Sequence, residues 1–466
     1  MLCRKCVSSS VDYPVVALDA DGVCNLCTFY DLHREKLTDF ARLGKEFNER
    51  IARIAQRGTA REYDCIVAFS GGKDSTYILH HMKTRYRLRI LAVMCDNYFM
   101  HPANLDKAVE ILKRLRVDYL YVTPPDEGLK RFFAQSFTHT GSVCLGCVAF
   151  IWAATLRIAI ERGIPAVLSG ESRDQMFRGS YYYLLHAASP DDLSTLLTIG
   201  REGFYWERYY RPTFQLVAKQ VGLYVPGDRE AEAAVTIPED RLAKGEAAVP
   251  DIVPFFFFHP HNEREIVREL ETHLGWKDLS GGKLLSHPDC VFHAIAYPSE
   301  VQNLIGHCVR ENVLSRADAV KEMCAKIAEW IDMDDRARIA EICATLGLRM
   351  EHIETKEWYK SRAALRSALR EIREGCERER RRGRAGSAGR DAPGTALDAI
   401  GRTIKSTAAR HLLRPVHVLR TYVVTAPRLR AALRRVLPER IQTLGRRDSN
   451  ERLAQRYREL LLEDRP

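Results

Sequence analysis

The chain has 466 residues, 46% apolar and 28% charged, more than one hydrophobic core usually organises, so two or three units are expected. Its longest near-apolar stretch, Cys147 to Leu156, falls short of a bilayer span, and the opening Met1-Leu2-Cys3-Arg4-Lys5-Cys6 lacks the apolar run of a secretory signal, so a cytoplasmic protein with no membrane span is expected. The formal charge of +10 is uneven: Glu377 to Pro466 holds 22 Lys and Arg against 10 Asp and Glu, a balance of +12 that leaves the remainder near −2 and excludes a basic catalytic body.

Thirteen cysteines in a reducing compartment do not read as a disulfide framework. Cys3, Cys6, Cys24 and Cys27 form two Cys-x-x-Cys pairs around the turn signal Asp21-Gly22, which predicts a small zinc ribbon over 1–31. Four thiolates complete a tetrahedron and leave no open position, so this Zn²⁺ site is assigned to folding.

A polar, helical connector, Leu32 to Arg57, follows. Short apolar runs at Asp64–Phe69, Leu88–Cys95, Asp118–Val122 and Pro165–Leu168 read as strands, with a helix from Leu105 to Arg116 between the second and third. The pattern predicts an α/β fold: a parallel sheet with helices on both faces and ligands at the C-terminal strand ends. We place this domain at 58–178.

From Gly179 the pattern weakens. Residues 179–350 read as a substrate-facing and helical region with two aromatic clusters, Tyr181-Tyr182-Tyr183 and Tyr205, Trp206, Tyr209 and Tyr210, although such clusters more often serve packing. Residues 351–394 read as a helix and an Arg/Gly-rich linker, Glu377 to Gly394, and 395–466 as a basic helical tail able to contact nucleic acid or another polyanion.

The chemistry concentrates in Ser70-Gly71-Gly72-Lys73-Asp74-Ser75, directly after the first strand. A glycine turn opening a helix offers bare amides to a phosphate. Gly71 and Gly72 allow close approach, Ser70 and Ser75 supply hydroxyls, and Lys73 brings charge. A Walker A loop needs Gly at 67 and Ser or Thr after the lysine, where this chain has Val67 and Asp74. An acidic residue in a phosphate loop suits Mg²⁺, so Asp74 is the candidate metal-side ligand. At other strand ends, Asp96, Gly170 and Glu171 are candidate nucleotide-binding residues. Glu171, Arg173 and Asp174, after the strand Pro165–Leu168, either face the site across the sheet edge or form a solvated loop.

The hexapeptide resembles the PP-loop, or N-type ATP pyrophosphatase, superfamily, which implies an adenine nucleotide alpha hydrolase-like fold, Mg·ATP as substrate and cleavage between the α and β phosphates. Within it the chain is most similar to the N-acetyl sugar amidotransferases of surface-polysaccharide biosynthesis, through Cys-x-x-Cys, Gly22-Val23-Cys24-Asn25-Leu26-Cys27, Tyr63-Asp64-Cys65, Gly170-Glu171 and Leu314, Arg316 and Ala319. That resemblance implies transfer of ammonia-derived nitrogen to a small-molecule acceptor. No obvious glutaminase is encoded, so ammonia would come from a glutaminase partner or from solution.

A third Cys-x-x-Cys, Cys144 to Cys147, departs from that pattern and resembles the tRNA thiolation enzymes, in which two such cysteines and a later one hold an iron–sulfur cluster. With Cys290 as third ligand the resemblance implies a [4Fe-4S] cluster and a sulfurtransferase. A second zinc site, a redox pair and plain buried thiols are the alternatives.

Overall fold

The computed structural model describes residues 2–8, 16, 18–58, 61–99, 102–124, 127–176, 193–246, 248–277, 305–332, 335–360 and 362–385. Cys290, Tyr181 to Tyr183 and the tail 395–466 lie outside the described residues.

Five strands form one parallel sheet: β1 Cys65–Ala68, β2 Ile90–Cys95, β3 Asp118–Val122, β4 Ala166–Ser169 and β5 Asp251–Pro254, in the order β3-β2-β1-β4-β5. The register pairs Val67 with Ala92 on one side and with Leu168 on the other. β1, β2 and β4 read as unbroken apolar runs because both sheet faces are covered. The chain steps outward from β1 to β2 to β3, then returns across the sheet to β4 and β5. Right-handed crossovers therefore put α3 (Lys73–Arg85) and α4 (Pro102–Leu115) on one face, and α5 (Gly128–Thr140) and α6 (Cys144–Glu161) on the other. The expected α/β fold is present, with a four-cysteine cluster at its N-terminal end and a helical C-terminal region.

The connector is helical as expected, in two pieces, α1 Asn25–Thr38 and α2 Phe40–Gly58, and α2 enters the main core through Phe47, Ile51 and Ile54. Other expectations are corrected. β5 had no separate signal, being four residues long and ending in proline; Arg50 of α2 anchors it by donating from Nε to Asp251 Oδ2 at 2.7 Å in a buried pair. α6 extends beyond the stretch judged too short, and by length and composition it is apolar enough to cross a membrane. Its buried residues, Phe150, Trp152, Ala153 and Leu156 among them, pack in the main core.

Beyond β4, α7 (Arg211–Tyr224) and α8 (Arg229–Val235) pack on α5 and α6, and α9 (Glu263–Leu274) packs on α3. A second core joins α10 (Arg316–Asp332) to α12 (Arg362–Ala385) through Ala319, Met323, Leu369, Ile372 and Cys376, and takes in Val7 of the cysteine segment. Helix α11 (Asp335–Leu346) lies between them in sequence. The stretch expected as linker from Glu377 is helical as far as Ala385, because Cys376 is buried and Arg373 pairs with Glu377 one turn on.

Candidate active site

The strand order reverses between β1 and β4, where open parallel sheets leave a crevice for ligands. Ser70 to Ser75 occupies that position. Gly71 has φ +75°, and a Cβ there would stand 2.8 Å from the Ala108 side chain, so only glycine fits the turn. Gly72 is extended and leads into α3 without a side-chain cap, which leaves first-turn amides for an anion. The hydroxyls of Ser70 and Ser75 lie 3.2 Å apart, Ser70 N donates to Ser75 Oγ at 3.2 Å, and Ser75 Oγ donates to the Gly72 carbonyl at 3.2 Å.

Lys73 is buried, with Nζ 2.8 Å from Asp74 Oδ2 and 3.7 Å from Glu263 Oε1. Burial alone would lower its pKa, but Asp74 and Glu263 outweigh it and leave it raised, so the ammonium charge is secure. Asp74 Oδ1 lies 2.9 Å from His261 Nε2. Burial pushes the Asp74 carboxyl up, while Lys73 and His261 hold it well below the usual carboxylate range. Both its oxygens are engaged by protein partners. His261 is itself buried, and its Nδ1 makes no hydrogen bond among the described residues. Trp276 Nε1 donates to the Gly71 carbonyl at 3.3 Å, and Lys107 Nζ lies 3.9 Å from the Trp276 ring centre. His261, Glu263 and Trp276 were missed from sequence: they lie on or beside α9, which the position of β5 delivers to the loop.

Asp96 stands at the end of β2 and turns the chain by accepting from Tyr98 N at 2.8 Å. Tyr98 has φ +68°, a conformation that non-glycine residues rarely adopt. Gly170 follows β4 and lies against the phosphate helix, since a Cβ there would meet Ser75 N at 3.6 Å. Glu171 Oε2 is 3.2 Å from Ser169 Oγ. Burial pushes the Glu171 carboxyl up to about 7, partly offset by Ser169 and by Tyr210, Tyr205 and Tyr209.

Arg173 and Asp174 are not a solvated loop. Arg173 is fully buried and donates to the carbonyls of Phe256, Phe257 and Leu37 and to Glu311 Oε1, the last at 3.1 Å. Tyr30 donates to the same Glu311 oxygen at 3.1 Å, and His307 Nε2 lies 3.6 Å from it. Asp174 lies 4.0 Å from Arg310, whose other nitrogen donates to Cys6 Sγ at 3.3 Å. A buried polar chain thus runs from the loop after β4 to the four cysteines.

The sulfurs of Cys3, Cys6, Cys24 and Cys27 all lie within 4.8 Å of one another, with Cys3–Cys27 at 3.8 Å and Cys6–Cys24 at 3.7 Å. A tetrahedral ion with metal–sulfur bonds of about 2.3 Å requires sulfurs about 3.8 Å apart. Amides of Ser8, Cys24 and Cys27 point at the sulfurs of Cys6, Cys3 and Cys24 at 3.3, 3.2 and 3.4 Å. The four residues fit a single tetrahedral ion. Arg316 donates to the Cys3 carbonyl at 3.2 Å, and Ala319 is fully buried in the adjoining core.

Cys144 and Cys147 begin α6, beside the C-terminal end of β2, where Asn97 Nδ2 donates to Cys147 Sγ at 3.2 Å. Burial pushes the Cys147 thiol up to about 12. Among the described residues no third ligand joins this pair to form a metal-sized cluster. Cys308, which sequence reasoning did not single out, lies near enough to Lys73 to act on its charge; burial, then Glu263 and other acidic neighbours, pushes its thiol up to about 12.

No protein-family model matches the chain. An uncharacterized protein, MJ1599, of Methanocaldococcus jannaschii is 26% identical over 170 residues, 36% of this chain; the match spans 58% of that relative's length. Among solved structures, the U34-tRNA thiolase NcsA from Methanococcus maripaludis with its [4Fe-4S] cluster aligns at 14% identity and a TM-score of 0.31, over 72% of this chain and 89% of that one. NMN synthetase from Francisella tularensis aligns at 13% and 0.23, over 55% and 95%. Likenesses this loose carry no chemistry across, so function has to be argued from the residues above.

Proposed function

We propose that this protein cleaves ATP to AMP and pyrophosphate, attaching AMP to an oxygen of a small-molecule acceptor, from which an ammonia-derived nitrogen displaces it. One observation carries the reading: Ser70 to Ser75 lies at the strand-order reversal with Lys73 buried beside Glu263, Asp74 held by His261 and Gly71 held by Trp276. The resemblance to the N-acetyl sugar amidotransferases supports a sugar of surface-polysaccharide biosynthesis as acceptor.

In this mechanism the amides opening α3 and the hydroxyls of Ser70 and Ser75 hold the departing pyrophosphate, and Lys73 turns from Asp74 toward the charge that develops on it. Mg²⁺ bound to the nucleotide supplies further charge neutralisation. Asp74 is the only carboxylate within the loop, which suits an ion held mainly by phosphates. Asp96 and Gly170 border the nucleotide at neighbouring strand ends. The cysteine set Cys3, Cys6, Cys24 and Cys27 holds Zn²⁺ as a structural ion, and ammonia arrives from a glutaminase partner or from solution in the cytoplasm. The basic tail serves a polyanionic partner. ATP–pyrophosphate exchange tests the reading: acceptor-dependent exchange and AMP release support it, and ATP turnover that yields ADP and phosphate sinks it.

A second reading, sulfur transfer, is favoured by Cys144 and Cys147 standing on the same rim of the sheet as the phosphate loop. With Cys290 they would hold a [4Fe-4S] cluster. Iron and sulfide in anaerobically purified protein, lost in Cys147→Ser, would replace nitrogen by sulfur in the proposal.

A further inference from the structure

The peptide between Gly71 and Gly72 is the least constrained in the phosphate loop, because no Cβ on either side resists its rotation. Its orientation matters to any anion. The carbonyl and the N–H of one trans peptide point opposite ways, so turning the plane over would put an acceptor where the phosphates need a donor. The structure fixes this plane from both sides. Gly71 O accepts from Trp276 Nε1 at 3.3 Å in a buried bond, and Gly72 N donates to Ser70 Oγ at 3.3 Å, beside the paired hydroxyls of Ser70 and Ser75. The Gly72 N–H therefore faces the hydroxyls, where a phosphate oxygen can take the place of Ser70 Oγ.

Trp276 is held firmly in its own right. Helix α9 ends at Gly275, which has φ +61° and bonds back to Glu271 O at 3.0 Å, while Trp276 N bonds to Leu270 O at 3.2 Å. This pair of bonds stops the helix in a left-handed turn and sends the next side chain toward the loop. The residue is 4% exposed, and Lys107 of α4 places its Nζ 3.9 Å from the ring centre. A cation over the indole face draws density from the ring and strengthens its N–H as a donor. Ala108, the next residue of α4, stands 2.8 Å from where a Cβ on Gly71 would lie, so α4 and Trp276 grip the same glycine. A phenylalanine ring could occupy the same buried space. Only the indole nitrogen reaches a partner, and that partner is the carbonyl whose direction decides where the Gly72 N–H points.

We propose that Trp276 is a positioning residue for the pyrophosphate end of ATP: its indole N–H latches the Gly71–Gly72 peptide so that the Gly72 N–H is presented to the β and γ phosphates before they bind. This rests on the ATP reading above. Without the latch the two glycines let the peptide turn over, and the Gly71 carbonyl then opposes the phosphate charge. The effect is confined to pyrophosphate, because AMP in that reading is bordered by Asp96 and Gly170.

The test is calorimetric titration of the full chain with magnesium pyrophosphate and, separately, with AMP, alongside ATP–pyrophosphate exchange. Trp276→Phe keeps an aromatic ring and removes the donor. It should weaken pyrophosphate binding about 10-fold and leave AMP binding within about twofold of the wild type. Replacing Trp276 by β-(3-benzothienyl)alanine, which differs only in sulfur for N–H, should give the same split and guards against a folding defect in the phenylalanine variant. Unchanged pyrophosphate affinity in both variants, equal weakening of both ligands, or a wild type that binds no pyrophosphate would overturn the proposal. Failure of the ATP reading shows separately, as a protein that gives this split yet releases no AMP from ATP and shows no exchange.

Discussion

Arg310 donates to the sulfur of Cys6 at 3.3 Å while its other terminal nitrogen lies 4.0 Å from Asp174, so one buried guanidinium joins the cysteine cluster to the loop that follows β4. Cys24→Ser should therefore lower bound zinc and the melting temperature together, measured by atomic absorption and calorimetry. Arg310→Met should keep zinc but lose roughly 3 kcal/mol of stability, because it strips a partner from buried Asp174. Unchanged zinc in Cys24→Ser would remove the metal assignment.

Lys73→Ala or Asp74→Ala should abolish ATP–pyrophosphate exchange with circular dichroism unchanged. His261→Ala should cut exchange by about 10- to 100-fold, since it only fixes Asp74, and general positioning effects have that size. Full activity in His261→Ala would show that Asp74 needs no such support.

The two glycine turns at Gly71 and Gly227 share nearly the same positive φ, +75° and +77°, but a Cβ at Gly227 meets nothing within 4 Å. Gly227→Ala should cost about 1 kcal/mol of backbone strain and leave exchange intact. Gly71→Ala adds the collision with Ala108 and should abolish exchange. Equal behaviour of the two variants would mean that the loop tolerates displacement.

Glu171 faces Ser169, Tyr205, Tyr209 and Tyr210, and burial moves its carboxyl from 4.5 up to about 7. A raised carboxyl binds its proton more tightly in the folded state, so its stabilisation is complete below pH 4.5 and is lost as the pH rises through about 7. Between pH 5 and 8 the wild type should lose up to about 3 kcal/mol relative to Glu171→Gln. Parallel pH profiles in denaturant melts would place this carboxyl at its ordinary value.

Removing 386–466 should leave ATP–pyrophosphate exchange intact and weaken binding to a polyanion such as heparin, with loss of its salt dependence. The cut belongs after Ala385 because the helix through Cys376 and Glu377 packs on α10. Loss of exchange would make the tail part of the catalytic unit.

The sequence alone determined the phosphate loop, the paired cysteines and four of the five strands, because each depends on neighbouring residues: a glycine turn after an apolar run, a doubled spacing, a strand buried on both faces. Tertiary structure decided who meets the loop. β5 had no legible pattern in Asp251-Ile252-Val253-Pro254, yet its place beside β4 brings His261 to Asp74 across 187 residues and Trp276 to Gly71 across 205. The same holds for Arg310 at Cys6 and for the tyrosines at Glu171. Such contacts follow from strand order and helix packing, and no local periodicity records which distant side chain fills a given place on the rim of a sheet.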